Sequence, residues 1–226
     1  MKDLYIIHGW TYTVEPWEKT LELLKNKGVK VEMLNVPGLT TESKKIWTID
    51  DYVAWANRNL PDGAVALGHS NGGRILLNLC SKNPEKLKKL ILLDSAGVYE
   101  KSFKRDLMRK ISKLGAPLKK SKFLTKVFHK LIDASDYSRA PENMKKTLSN
   151  MLDSDKSLNL EKVSTPALIL WGEKDTVTPP RQAKLLNEKL KNSKLKLYKD
   201  WTHAPYISSP ASLASAILTA LKEDVK

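Results

Sequence analysis

The chain has 226 residues, of which 41% are hydrophobic and 28% are charged, and its formal net charge is +14. This composition is usual for a globular protein with one domain, or with one domain and an insertion. The only cysteine, Cys80, excludes an internal disulfide, and the apolar pattern around it predicts a small buried side chain. No segment approaches the apolar length of a membrane span, and the N-terminus does not resemble a signal peptide. We therefore expect a cytoplasmic protein with no stable membrane insertion.

Apolar runs alternate with stretches of helical periodicity through most of the chain. The runs predict six strands, at residues 4–8, 29–36, 64–67, 87–93, 167–171 and 195–198. The periodic stretches predict helices at residues 16–27, 49–60, 74–79, 179–191 and 210–221, with Ser209 as the cap of the last. Strands and helices that alternate at this interval imply right-handed crossovers, and therefore an α/β fold with a mostly parallel sheet. The strand at 29–36 alternates polar and apolar residues, as an edge strand does.

The alternation stops at residues 98–160, where helical periodicity continues without strands. We interpret this stretch as a helical cap inserted over the C-terminal edge of the sheet. The predicted core domain therefore consists of residues 1–97 and 161–226.

The segment of this insertion from Lys101 to Leu131 carries most of the net charge. It has one acid, Asp106, and eleven basic residues: Lys101, Lys104, Arg105, Arg109, Lys110, Lys113, Lys119, Lys120, Lys122, Lys126 and Lys130. Eleven minus one gives +10 of the total of +14. Such a segment can dock an acidic partner such as an acyl carrier protein, attract anionic substrates or touch an anionic membrane. The simpler interpretation, which we favour, is the solvated face of amphipathic helices. Nucleic-acid binding is less favoured, because no binding motif accompanies the charge.

A serine flanked by glycines stands between the third strand and the helix that follows it. The sequence is Gly68-His69-Ser70-Asn71-Gly72, the pattern of a nucleophile elbow. A Cβ at Gly68 or Gly72 is expected to collide with a neighbouring backbone, and Ser70 is expected to have a positive φ. The alternative interpretation is a tight strand-to-helix turn that happens to contain a serine.

A serine nucleophile needs a base, and the base needs a carboxylate to orient it. Of the four histidines, only His203 lies in a loop beyond the last strand, at the edge where parallel strands present their C-terminal loops. Asp175 follows the fifth strand, and Asp94 ends the fourth and is the competing acid. We favour Asp175, because the order serine, acid, histidine with a strand between each is the order of this motif.

An oxyanion site requires two N–H donors aimed at the developing charge. The backbone of Asn71, which follows the serine, offers one donor. The tripeptide His8-Gly9-Trp10, at the end of the first strand, offers the second in the backbone N–H of Trp10.

Taken together, these motifs resemble the α/β-hydrolase superfamily over essentially the whole chain. The resemblance implies Ser70 as nucleophile, His203 as base and Asp175 as acid. It also implies Asn71 and Trp10 as oxyanion donors and residues 98–160 as the variable cap.

Two details refine the resemblance. Within the cap, Asp136-Tyr137 followed by Met144 and Leu148 is similar to small esterases and C–C bond hydrolases of the superfamily. Only three residues precede the first strand, so the sheet should have about six strands, as in the compact retinoblastoma-binding serine hydrolases.

The expected activity is hydrolysis of a carboxylic ester or thioester with a small to medium apolar acyl group, through an acyl-enzyme and with no metal or organic cofactor. Two alternatives stay open: a C–C bond hydrolase that uses the same residues, and a catalytically silent binding protein of this fold. Dehalogenase and epoxide hydrolase chemistry is disfavoured, because both need an aspartate where this chain has Ser70.

Overall fold

Six parallel strands form a single sheet in the computed structural model, which describes residues 3–99 and 140–224. The strands are β1 (Leu4–Ile7), β2 (Val31–Met33), β3 (Ala64–His69), β4 (Leu87–Leu93), β5 (Ala167–Gly172) and β6 (Ser193–Tyr198). Their order across the sheet is β2-β1-β3-β4-β5-β6, so the chain starts near one edge, crosses back to the middle and proceeds to the other edge. Every pair is parallel, which places the loops after all six strands at one edge.

Helices connect the strands and cover both faces of the sheet. In chain order over the described residues they are α1 (Glu18–Asn26), α2 (Ile49–Asn59), α3 (Asn71–Lys82), α4 (Glu142–Ser154), α5 (Pro180–Lys189), α6 (Pro205–Ser208) and α7 (Pro210–Lys222). Within residues 3–99 and 140–224, short 3-10 turns lie at Glu15–Trp17, Pro84–Lys86 and Leu160–Lys162. Among these helices none has the length and apolar character needed to cross a membrane.

Alternating side chains along the strands divide the core into two layers. In β1, Tyr5 and Ile7 belong to the layer shared with α2, α3, α4 and α5, whereas Leu4 and Ile6 belong to the layer shared with α1 and α7. The central strands β3, β4 and β5 are almost continuously buried, as expected when helices cover both faces. The α/β-hydrolase fold predicted from the sequence is therefore confirmed.

The predicted edge strand is confirmed in position but is shorter than expected. Residues 29–36 were expected to be extended, and β2 comprises only Val31–Met33. The backbone turns soon afterwards, because the carbonyl of Val36 accepts hydrogen bonds from the N–H groups of Leu39, Thr40 and Thr41.

The region around the last helix differs in two ways from the prediction. The stretch before it was expected to be loop alone, but Ile207 and Ser208 donate their N–H groups to the carbonyl of Ala204 and form the single turn α6. Ser209 does stand at the N-terminal cap of α7. However, its side chain makes no capping hydrogen bond, and its backbone carbonyl instead accepts from Leu213 at 3.0 Å.

Part of the predicted cap is helical, as expected. α4 is held to the loop before α2, because Asn150 donates to the carbonyl of Trp47 at 3.0 Å and Thr147 accepts from the N–H of Trp47 at 2.9 Å. Met144 and Met151 are buried in the core. The eleven basic residues between Lys101 and Leu131 and the pair Asp136-Tyr137 lie outside the described residues, so the division into core and cap stays a prediction.

Candidate active site

Ser70 lies at the sharp turn from β3 into α3, with φ 50° and ψ −116°. This conformation is strained for any residue other than glycine. It is held by the backbone on both sides: the N–H of Ser70 donates to Leu93 at 3.1 Å, and its carbonyl accepts from Gly73 at 3.0 Å and Ala96 at 2.9 Å. The turn is therefore fixed by β4 and by the first turn of α3.

The glycines flanking Ser70 have no room for a side chain. A Cβ at Gly68 would lie 2.6 Å from the Cα of Gly73, and a Cβ at Gly72 would overlap the carbonyl of Ile7. The sequence prediction of a close crossing between strand and helix is therefore confirmed at both positions. Helix α3 approaches β1 so closely that only glycine fits at the crossing.

Three side chains from three loops form one hydrogen-bonded chain. Ser70 Oγ lies 3.0 Å from His203 Nε2, and His203 Nδ1 lies 2.8 Å from Asp175 Oδ2. The carboxylate can only accept, so Nδ1 carries a proton, and in the neutral form of the imidazole Nε2 accepts from the serine hydroxyl. The structure thus brings together the nucleophile, base and acid candidates named from the sequence.

Asp175 is fully satisfied by its own turn and by His203. Its Oδ1 accepts from the N–H groups of Val177 at 2.7 Å and Thr178 at 2.9 Å, and its Oδ2 also accepts from the Thr178 hydroxyl at 2.6 Å. Burial raises the pKa of Asp175, but the hydrogen bond and charge of His203 and the Thr178 donor outweigh it and hold this pKa below its ordinary value. The carboxyl group is therefore ionised beside the imidazole.

Asp94, the competing acid, occupies a different environment. It has φ 44°, its side chain is fully buried, and Oδ1 accepts from the N–H of Gly172 at 2.8 Å. Burial raises the pKa of Asp94 well above its ordinary value, and the charge of Asp175 adds to the effect. Burial thus favours the neutral form of Asp94, whereas Asp175 is held in its ionised form, and His203 hydrogen-bonds to Asp175 instead.

The loops that carry the acid and the base are bound to each other. Gly172 lies so close to Trp201 that a Cβ there would overlap the Trp201 carbonyl. The N–H of Lys174 donates to this same carbonyl at 3.0 Å, and the N–H of Glu173 donates to Tyr198 at 2.9 Å. These contacts set the position of Asp175 relative to the loop that ends at His203.

His69 holds the loop that carries the base His203. Its Nε2–H donates to the backbone carbonyl of His203 at 2.8 Å, and its ring packs against those of Trp17 and Tyr206. Burial lowers the pKa of His69 to about 3, and the nearby His203 contributes to this shift. His69 is therefore a neutral positioning group at neutral pH.

The loop after β1 lies against the elbow, as an oxyanion site would require. A Cβ at Gly9 would be 3.1 Å from the Cβ of Ser70 and 2.8 Å from His69 Nδ1, so this backbone approaches the serine closely. Within the described part of the chain, the N–H groups of Trp10 and Asn71 donate to no backbone carbonyl. Both remain candidates for binding a developing oxyanion.

Chemically, this arrangement suits acyl transfer. A hydroxyl, an imidazole and an ionised carboxylate stand in the order needed to deprotonate the hydroxyl and stabilise the resulting imidazolium. Across residues 3–99 and 140–224, no group of three His, Cys, Asp or Glu side chains is placed to hold a metal ion.

Several residues at the site were not predicted from the sequence. Thr178 binds the acid, His69 binds the loop of the base, and Arg74 forms a buried ion pair with Asp155. The available signal was Arg74 itself, a charged residue directly before the apolar run Ile75-Leu76-Leu77. The partner of His69 depends on the tertiary structure and left no local pattern, whereas Thr178 contacts Asp175 three residues earlier in the same turn.

Comparison with known proteins finds similarity to hydrolases in sequence and in structure. The chain matches the family described as alpha/beta hydrolase fold over residues 4–210. It is 22% identical to a pimeloyl-acyl-carrier protein methyl ester esterase of Nitrosomonas europaea, over 94% of this chain and 93% of the relative. It is 24% identical to the Salmonella newport protein of the same name, over 96% and 92%. A hydrolase structure from Oleispira antarctica superposes with a TM-score of 0.76 at 18% identity, covering 99% of this chain and 92% of that one.

We expect His69 to make the stability of the protein dependent on pH. The unfolded chain protonates this imidazole near its ordinary pKa of 6.5, whereas the folded chain holds the pKa at about 3. The stability contributed by neutral His69 is therefore present above pH 6.5 and is lost as the pH falls toward 3. Between pH 7 and pH 5 the loss is about 2 kcal/mol.

The variant His69→Gln removes the titrating group and keeps an N–H donor for the His203 carbonyl. Urea unfolding of both proteins at pH 7 and pH 5 gives the free energies of unfolding, and carboxylates common to both cancel in the difference. The difference should move by about 2 kcal/mol in favour of the variant at pH 5. A difference that is the same at both pH values would contradict a neutral, buried His69.

Proposed function

This chain belongs to the alpha/beta hydrolase fold family, and on that premise we propose that it is a serine esterase that cleaves carboxylic ester or thioester bonds. The proposal is carried by one observation, the continuous hydrogen-bonded chain from Ser70 through His203 to Asp175. The esterase names of the relatives from Nitrosomonas europaea and Salmonella newport support the same reaction class.

In the proposed first step, Ser70 Oγ attacks the ester carbonyl while His203 Nε2 takes the hydroxyl proton. The N–H groups of Asn71 and Trp10 bind the oxyanion of the tetrahedral intermediate. Asp175 remains ionised and stabilises the imidazolium. When the intermediate collapses, the C–O or C–S bond breaks and His203 gives its proton to the departing alcohol or thiol.

In the second step, water replaces the alcohol. His203 takes a proton from the water, the resulting hydroxide attacks the acyl-enzyme, and collapse of the second intermediate returns the proton to Ser70 Oγ. The products are a free acid and the unchanged enzyme, so no oxidant or cofactor is consumed.

We further propose that the ester is presented on an acidic carrier. The named substrates of both relatives are linked to an acyl carrier protein. The excess of lysine and arginine between Lys101 and Leu131 supplies the opposite charge. Attraction between such surfaces chiefly accelerates encounter and weakens with salt.

Ser70→Ala should abolish the activity. Without the hydroxyl no acyl-enzyme forms, so hydrolysis of p-nitrophenyl esters should fall about 10³-fold or more. Labelling by a fluorophosphonate probe should disappear as well. Wild-type protein that neither reacts with the probe nor hydrolyses any ester or thioester would refute the proposed function and favour a silent binding protein.

The two buried aspartates should respond differently to replacement by asparagine. Asp175→Asn removes the charge that stabilises the imidazolium, and kcat should fall about 10³-fold or more. Asp94→Asn replaces a neutral acid by a neutral amide of the same shape that still accepts from Gly172, so kcat should stay within about threefold. Steady-state kinetics with one p-nitrophenyl ester measures both. Similar losses in the two variants would contradict the assignment of Asp175 as the acid.

Charge reversal in the basic segment should slow only the carrier-linked reaction. Lys119→Glu with Lys120→Glu should lower kcat/KM on an acyl-carrier-linked methyl ester about tenfold at low salt, and added salt should shrink this difference. The matched control is Lys25→Glu with Lys27→Glu, two exposed positions at the end of α1, on the opposite face of the sheet from α3. Equal effects of both pairs, or none, would rule out docking through the basic segment.

A further inference from the structure

Asn71, the residue after Ser70, has a buried amide group with one unused end. The residue is 3% exposed, and its Oδ1 accepts from Arg74 Nη1 at 2.7 Å. Its Nδ2 has no hydrogen-bond partner within the part of the chain that the structure describes. A buried donor left unpaired costs about 1–3 kcal/mol, so its retention beside the nucleophile calls for an explanation.

The orientation of this amide is fixed. The guanidinium of Arg74 can only donate, so the oxygen of the Asn71 side chain must face it and the nitrogen must point away. Arg74 is itself held by Asp155, through Nε to Oδ1 at 2.7 Å and Nη2 to Oδ2 at 3.1 Å. Both side chains of this ion pair are more than nine-tenths buried. The amide nitrogen of Asn71 therefore points away from Arg74 and can act only as a hydrogen-bond donor.

The surroundings of α3 place this donor on the side of the elbow that faces the end of α4. Gly72 faces the carbonyl of Ile7 on β1, and Gly73 faces Ser95 after β4. Asn71 and Arg74 share the remaining side, which faces Asp155 at the end of α4. The side-chain amide of Asn71 thus lies one residue from the nucleophile, on the side of α3 that faces the end of α4.

The charge at this position is already balanced. Arg74 and Asp155 neutralise each other, and the amide of Asn71 is neutral. A carboxylate brought here would lose its hydration without gaining a free cation from this pair. A neutral oxygen, such as that of a ketone or an ether, needs only the N–H that Asn71 offers.

We propose that Asn71 Nδ2 is a substrate-binding donor that selects esters whose acyl group carries a neutral oxygen acceptor. This inference rests on the proposed esterase function and narrows its substrate class. A site built around a buried donor discriminates against substrates that leave the donor unpaired, so the preference should be about tenfold in kcat/KM.

The test compares p-nitrophenyl hexanoate with analogues in which an ether oxygen replaces one methylene at the third, fourth or fifth position. For each analogue, the ratio of its kcat/KM to that of the hexanoate is measured in the wild type and in two variants. The wild-type ratio is then divided by the variant ratio, which cancels the intrinsic reactivity of each ester. We call the result the divided ratio. Asn71→Leu removes both polar atoms, whereas Asn71→Asp retains the acceptor for Arg74 and replaces the donor by an acceptor.

For at least one oxygen position, the divided ratio should be about ten with Asn71→Leu and larger with Asn71→Asp, which places two acceptors together. Should Asn71→Leu fail to fold, as judged by thermal unfolding, the isosteric Asn71→Asp decides alone. A divided ratio of one at every position overturns the inference, including the case in which all esters slow equally because Nδ2 serves the oxyanion or the fold. Ser70-dependent turnover in that experiment would leave the esterase function standing, whereas turnover of no ester would refute both.

Discussion

The site depends on one close approach, that of the first turn of α3 to the end of β1. Because Gly72 has no side chain, the helix meets the carbonyl of Ile7 directly, and the chain must turn at Ser70 with a positive φ. That conformation costs on the order of 1–3 kcal/mol. The hydrogen bonds that the Ser70 backbone makes to β4 and to α3 hold it in place. The same approach places the backbone of Gly9 against Ser70. One contact between α3 and β1 therefore positions both the nucleophile and the candidate oxyanion donors.

The pKa values of two neighbouring buried aspartates are shifted in opposite directions. Asp94 receives one backbone donor, and its other carboxyl oxygen has no partner among the described residues, so burial favours its neutral form. Asp175 receives donors from its own turn and from His203, which compensate for burial and keep it ionised. Neutralising the first carboxyl removes a repulsion that the second would otherwise feel. Two acids at one sheet edge are therefore compatible with a single charge beside the imidazole.

The sequence predicts what is local and periodic. The strands, the glycines of the elbow and the short motifs around Ser70, Asp175 and His203 are each visible within a few residues. The parallel sheet follows from the regular alternation of strands and helices. The clamp between His69 and His203 joins positions 134 apart, and the pair of Arg74 and Asp155 joins positions 81 apart. Contacts of this kind depend on how the loops are packed, so the sequence does not identify the two partners of each pair. The shortened β2 is a different case, because the turn that follows it is formed locally, by hydrogen bonds from Leu39, Thr40 and Thr41 to Val36.

The contact between Gly172 and Trp201 has a consequence for how the site moves. Two backbone hydrogen bonds cross between these loops beside the contact, and Trp201 is stacked on Tyr198 with ring centroids 3.7 Å apart. The strand ends that carry the acid and the base cannot separate without breaking both hydrogen bonds and the contact between Gly172 and Trp201 together. In amide hydrogen exchange they should behave as one cooperative opening unit. Local fluctuation then takes the carboxylate and the imidazole out of position as a pair and returns them as a pair.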